Sequence, residues 1–342
     1  MCKLTVASGE GSSPRQAEVG FVKQALLLLG LGVLIGAGLA GADDAPSSVP
    51  FRTGKKQAVV LPVQLSETLQ GEFLLDTGLG FNVISPELAS KLGLQTDSKL
   101  KVKPITGGEF EFSSARVPSL KLGNTDESNL EVVVAEPRRF VENGGEVGVD
   151  GILSLAFFRE HPFTLDFPNQ TLILEESDTL EQRKKAGARV ECRIEDDRLA
   201  LVALKLKDKD PDPPRPGGLA GLLSGITGRG GAPEPPTAWV QVATGSENLM
   251  LDSKLMFALK IDATGANITE TEETDQNGVR SRRFASHMAR VGLAADNAVL
   301  SQEKQAVGFR KLRAEGALGQ NFLRQYVVTF NLPGSELIFA RP

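Results

Sequence analysis

The sequence predicts an all-β protein, mainly strand with short helices, folded as two similar lobes. Three observations carry this. Phe73-Leu74-Leu75-Asp76-Thr77-Gly78 aligns with Val240-Gln241-Val242-Ala243-Thr244-Gly245, and the register runs on ungapped to Pro86-Glu87-Leu88 over Ser253-Lys254-Leu255. A second block, Asp150 to Arg159, aligns with Glu315 to Arg324 and continues through Thr164/Thr329, Pro168/Pro333 and Ile173/Ile338. The offset is 167 positions in the first block and 165 in the second, so the copies keep their internal spacing, as repeated structural units do. Finally, short apolar stretches bounded by Gly, Pro, Asn and Asp recur along the chain, the pattern of strands joined by turns.

The elements follow in order. Residues 57–65 read as a strand and 71–75 as its hairpin partner, which delivers Asp76 at its far end. Residues 86–92 read as a short helix, capped by Ser85 and stopped by Gly93. Residues 101–112 fold back at Thr106-Gly107-Gly108-Glu109 as a hairpin. Residues 117–122 and 130–134 are further strands, and 163–167 with 171–174 form a closing hairpin around Pro168-Asn169. The first lobe is thus 57–176, led by a linker at 43–56. The charged stretch 177–188 is expected to link it to a second lobe at 189–342, where 199–206 mirrors the first strand. Residues 207–237 are rich in Pro, Gly and charge, cannot bury a core, and read as a flexible surface insert. Its apolar patch, 219–226, is a candidate docking turn. Asp275-Gln276-Asn277-Gly278 marks the hairpin turn of the second lobe.

An apolar strand running into Asp76-Thr77-Gly78, followed by Val83-Ile84-Ser85, resembles the active-site loop of retropepsin-like aspartic peptidases. Ala317-Leu318-Gly319-Gln320-Asn321-Phe322-Leu323 resembles that family's second signature, an apolar-apolar-Gly strand opening a short helix. The resemblance implies two acid-protease β-barrel lobes forming a pseudo-dimer around a cleft, with flaps from residues 104–112 and 273–281. It implies a peptide or protein substrate, held along the cleft and against Gly107, Gly108 and Glu109 of the flap. It also implies that Thr77 and Thr244 reach across to fix the two loops together. The chain departs from the family at three places: Ser154 stands where glycine is usual, Leu79 where a small residue is preferred, and Ala243 where the second aspartate belongs.

That last departure decides the chemistry. Aspartic peptidases place two carboxylates side by side, sharing one proton, so that one acts as base on a water and the other as acid on the scissile carbonyl. Here Asp76, with Thr77 and Gly78 shaping its loop, is the candidate that activates water, and the degenerate loop Ala243-Thr244-Gly245 faces it. The expected function is an aspartic-type endopeptidase-like protein that hydrolyses or binds extended peptides. The alternative is an inactive pseudo-peptidase that keeps the cleft as a binding module. Glu247 is a candidate substitute carboxylate; Asp252 reads as a helix N-cap and Asp150 as structural. His161 and His287 stand without a Ser-His-Asp or Cys-His arrangement in sequence, and neither a cofactor nor a metal is implied.

The 342 residues suffice for two modest domains. A net charge of −5 and the lack of a basic cluster argue against nucleic acid as a partner. Lys23, the uncharged run from Gln24 to Ala42 and the small-residue end Ala40-Gly41-Ala42 make residues 1–42 read as a signal peptide, with the targeting signal in 19–42, and an N-terminal membrane tether through residues 24–42 as the other reading. Export follows from either. A cut leader would remove Cys2 and leave Cys192 without an internal partner. Because one chain supplies both loops, a monomeric pseudo-dimer is expected rather than a homodimer.

Overall fold

The computed structural model describes residues 47–96, 98–141, 148–196, 198–207, 236–274, 280–296 and 299–342. The expected leader or tether, residues 208–235 of the insert with its apolar patch, and the turn at 275–278 lie outside the described residues.

Among the described residues the strands form two sheets, one of eight strands and one of thirteen, and the molecule is a two-lobed, mainly-β fold of the acid-protease kind. In the first lobe, strand Val59–Gln64 buries one face fully and the start of the other. Val59, Leu61 and Val63 enter the main core, while Val60 packs with Leu74, Val83 and Ile152 in a second cluster. The strand pairs with Gln70–Leu75, which lies parallel to Gly151–Leu153 in the register Leu74 to Ile152. Asn82–Ile84 closes on the other side of Gly151–Leu153 and runs parallel to Thr125–Val134.

The second lobe repeats these pairings. Thr237–Val242 lies parallel to Gly316–Leu318 in the register Gln241 to Ala317. Leu249–Asp252 is antiparallel to Gly316–Leu318 and parallel to Val299–Arg310. Loop contacts repeat too: Asp76 N donates to Leu153 O at 2.8 Å, and Ala243 N to Leu318 O at 3.0 Å.

Three stretches differ from the sequence expectation. The leading linker 43–56 contains strands Ser47–Pro50 and Arg52–Thr53, the first paired with Thr171–Leu174. The inter-lobe stretch 177–188 holds the helix Ser177–Ala186, whose first turn is closed by Glu176 N donating to Thr179 Oγ1 at 3.0 Å. The closing hairpin also does more than finish its own lobe. Phe163–Asp166 pairs with Val327–Asn331, so one sheet runs across both lobes, with Phe163 and Phe330 stacked at 4.8 Å beneath it. Burying aromatic side chains of this size stabilises by roughly 1.5–3 kcal/mol each. This shared sheet fixes the two loops opposite one another.

Candidate active site

Each loop is set by the strand that precedes it and the short helix that follows. In the first lobe that helix is Pro86–Lys91, with Ser85 Oγ accepting Leu88 N at 3.1 Å. In the second it is Lys254–Ala258, and Asp252, 6% exposed, accepts Lys254 N at 2.9 Å and Leu312 N at 2.7 Å. Asp252 therefore spends its carboxylate on backbone. Asp150 does likewise, accepting Glu72 N at 2.9 Å.

The loops meet through their threonines, both fully buried. Thr77 Oγ1 donates to Val242 O at 2.6 Å, and Thr244 Oγ1 donates to Leu75 O at 2.7 Å. Above this clasp lies Asp76, half-buried, with Oδ1 accepting Gly78 N at 2.9 Å and Gly245 N at 3.2 Å. Glycine is needed here by proximity: a Cβ on Gly245 would collide with the Asp76 carboxylate. A Cβ on Gly78 would come 2.6 Å from that of Ala243. Ala243 thus stands to Gly78 as Asp76 stands to Gly245, and only its carboxylate is missing.

Ala243 is 6% exposed and packs with Met250, Leu312 and Ala317, and Ile105 of the first-lobe hairpin lies against the same cluster. That hairpin joins Ser98–Val102 to Phe110–Leu122, and its tip turns on Gly107 and Gly108 at φ of 96° and 81°, values that glycine adopts without strain. Arg313 of the second lobe holds the tip: its N donates to Ile105 O at 2.8 Å and its Nη1 to Gly108 O at 3.0 Å. Glu109 sits on the flank, beside Lys103 at 3.3 Å and Lys101 at 3.7 Å, and the Lys103 hydrogen bond holds its carboxyl below the usual carboxylate range.

A cavity of about 30 Å³ opens beside Asp76, lined by Gly245, Glu247, Gln320, Lys55 and Lys56 among others. That is room for about two waters. Gln320 Nε2 donates to Thr244 O, and Arg324 Nε donates to Gln320 Oε1 at 2.8 Å. Sequence reasoning missed Gln320 as a loop support, although it is a polar residue aligned with the apolar Leu155. Lys55 and Lys56 carried no pattern that would have found them; nor did Ile105 and Arg313.

Ser154 does not strain its loop. It is fully buried, and its N and Oγ both donate to Asn82 Oδ1, at 2.8 and 3.2 Å. At Gly319 a Cβ would lie 2.5 Å from Asn248 O and 2.7 Å from Ser246 O, so the second lobe does need glycine there. Leu79 folds against the cluster of Val60, Leu74 and Phe81. Of the two histidines, His161 Nε2 meets Glu127 Oε1 at 2.8 Å, and His287 lies on strand Arg280–Ala294.

Two lobes sharing a sheet, each ending an apolar strand at a clasped Thr-Gly loop, define the acid-protease-like class. Residues 61–157, within the first lobe, match a family model described as aspartyl protease. Among solved structures the chain is similar to basic 7S globulin from soybean, with a TM-score of 0.51 and 11% identity over 86% of this chain and 94% of that one. It is also similar to conglutin gamma, a basic 7S globulin from lupine seeds, with a TM-score of 0.51 and 14% identity over 87% and 95%. At such identities the likeness concerns the fold alone. No curated protein matches the chain in sequence.

Proposed function

We propose that this protein is a pseudo-peptidase of aspartyl-protease type, which binds extended peptides in the cleft between its lobes. Its hydrolytic chemistry is reduced to what one carboxylate can do. The observation that carries this reading is Ala243: it occupies the place of the second aspartate in a loop that is otherwise fully clasped, and it is packed among apolar side chains under Ile105. Asp76 can hold a water and take its proton. Protonating the scissile carbonyl would fall to no partner at Ala243, and removing one member of such an acid–base pair costs about 10²–10⁴-fold in rate. In this reading the peptide lies along the cleft as an added strand. A monomer suffices, since one chain supplies both loops, and export through residues 19–42 belongs to the same reading.

A hydrolytic reading is favoured by one observation, that Glu247 lines the same cavity as Asp76. The two separate in one experiment. The purified full chain is incubated with a mixed peptide library from acidic to neutral pH, alongside Asp76→Asn and Glu247→Gln, while peptide binding is followed by fluorescence anisotropy. Binding without cleavage supports the pseudo-peptidase. Cleavage lost in both variants makes Glu247 the second acid. Absence of binding by the folded protein ends both readings.

A further inference from the structure

A second cavity, about 230 Å³, lies in the second lobe, between the end of its loop at Asn248 and the hairpin formed by Thr269–Thr274 and Arg280–Ala294. Asn248, Asn267, Thr269, Arg283, Ser286 and His287 supply its polar wall. This volume is below that of pockets for drug-sized ligands and suits a single side chain. From this cavity we infer a carboxylate-binding subsite, deepening the peptide-binding reading on which it rests: it receives an acidic side chain or the C-terminal carboxylate of the bound peptide.

Arg283 Nη1 lies 3.0 Å from Glu273 Oε1, and Arg310 Nη1 lies 3.2 Å from Glu273 Oε2. Among the described residues these two guanidinium groups share the one carboxylate of Glu273. Their side chains are 26% and 17% exposed, and that of Glu273 is 20% exposed, so water screens the excess positive charge weakly. Arg310 Nε is buried without a hydrogen bond among the described residues. Gly308 makes this arrangement possible: a Cβ there would crowd Arg283 Nε at 3.3 Å and the Met250 thioether at 3.0 Å. Arg283 alone of the pair reaches the cavity wall, with the Ser286 and His287 positions beside it. A planar guanidinium flanked by hydroxyl and amide donors matches a carboxylate.

The test uses the full chain and three labelled peptides of one sequence. One is neutral with blocked ends, one carries Glu in place of Gln, and one is neutral with a free C-terminus. The Glu or the free-terminus peptide is expected to bind at least about tenfold more tightly than the neutral one, and the arm that gains identifies the source of the carboxylate. Arg283→Met should erase the gain of the carboxylate peptides over the neutral one, while Arg310 keeps Glu273 as its partner. His287→Gln, at an exposed position, tests the wall without touching the ion pairs. Neutral peptide bound with no gain in either carboxylate arm overturns the inference and leaves the cleft reading standing. Should no peptide bind, glutarate is titrated and the amide resonances of residues 283–287 are followed. Shifts that vanish in Arg283→Met keep the subsite and overturn the peptide reading, and no shifts overturn both.

Discussion

Thr77 and Thr244 hold one another by the same bond made in both directions: Thr77 N donates to Thr244 Oγ1 at 3.1 Å, and Thr244 N donates to Thr77 Oγ1 at 3.1 Å. Each hydroxyl also donates across to the strand end before the opposite loop. The clasp is therefore symmetric although the carboxylates above it are not. Replacing either threonine by valine keeps the shape, removes two hydrogen bonds and strands a buried N–H and a buried carbonyl. A cost of about 2–4 kcal/mol is expected for each, read from urea unfolding. Equal costs for Thr77→Val and Thr244→Val would match the symmetry. A negligible cost at Thr244 would mean the second loop is held by other contacts.

Ala243→Asp should restore a dyad. The loop at Ala243 mirrors that at Asp76, and Gly78, whose N already donates to Asp76 Oδ1 at 2.9 Å, lies directly beside the Ala243 side chain. The variant is expected to cleave peptides at acidic pH with a bell-shaped profile, since two neighbouring carboxylates share one proton. The gain over the natural chain should be about 10²-fold or more and should vanish in Asp76→Asn/Ala243→Asp. Stability should fall, because the new carboxylate enters the cluster of Met250, Leu312 and Ile105. A folded variant with no gain would place the missing chemistry elsewhere than at Ala243.

What could be read from the chain was local. Asp76, Ala243 and the two threonines lie in contiguous frames, so the aligned strands and the loops they carry were visible as pattern. The helix at Pro86 was visible because Ser85 and Gly93 punctuate it. Contacts made at long range left no such trace. Ile105 lies against Ala243, and Arg313 meets Gly108, only because the shared sheet through Phe163 and Phe330 brings the lobes together. Strand Ser47–Pro50 was missed for the same reason: its partner is Thr171–Leu174, more than a hundred residues away. The polar stretch 177–188 carries little apolar periodicity, and its helix is declared mainly by the Glu176 and Thr179 cap.

Cys192 supplies a prediction about pH. It is 4% exposed, and burial, with smaller contributions from Glu336 and Glu191, pushes its thiol from 9.0 up to about 12. Above pH 9 the unfolded chain sheds this proton while the folded chain keeps it, so the unfolded state binds fewer protons and stability falls as pH rises. The window runs from about 9 to about 12, with a slope of about 1.4 kcal/mol per pH unit from this group. Below pH 9 the group contributes no pH dependence. Urea unfolding of the natural chain and Cys192→Ala should give curves that run parallel below pH 9 and converge above it. A thiol reagent at pH 8 should leave folded Cys192 unmodified. Rapid labelling of the folded protein would contradict this burial.

The first-lobe hairpin is latched by a residue that plays no part in the loops. Arg313 donates to Gly108 O through its side chain and to Ile105 O through its backbone, while Ile105 lies in the apolar cluster over Ala243. Under the peptide-binding proposal, loosening this latch should speed peptide entry. Arg313→Ala removes one hydrogen bond, worth about 1 kcal/mol, and leaves the backbone bond in place. Ile105→Asp acts on the other half by setting a charge against apolar neighbours, which favours the lifted hairpin. Amide hydrogen exchange at Gly107 and Gly108 should quicken by about fivefold in Arg313→Ala and by more in Ile105→Asp, with the global unfolding midpoint nearly unchanged, as for a local opening. Peptide association should accelerate in the same order. Unchanged protection in both variants would mean that the tip is held by its own turn, in which Gly107 N donates to Pro104 O at 3.0 Å, and that the contacts with Arg313 and Ala243 do not control access.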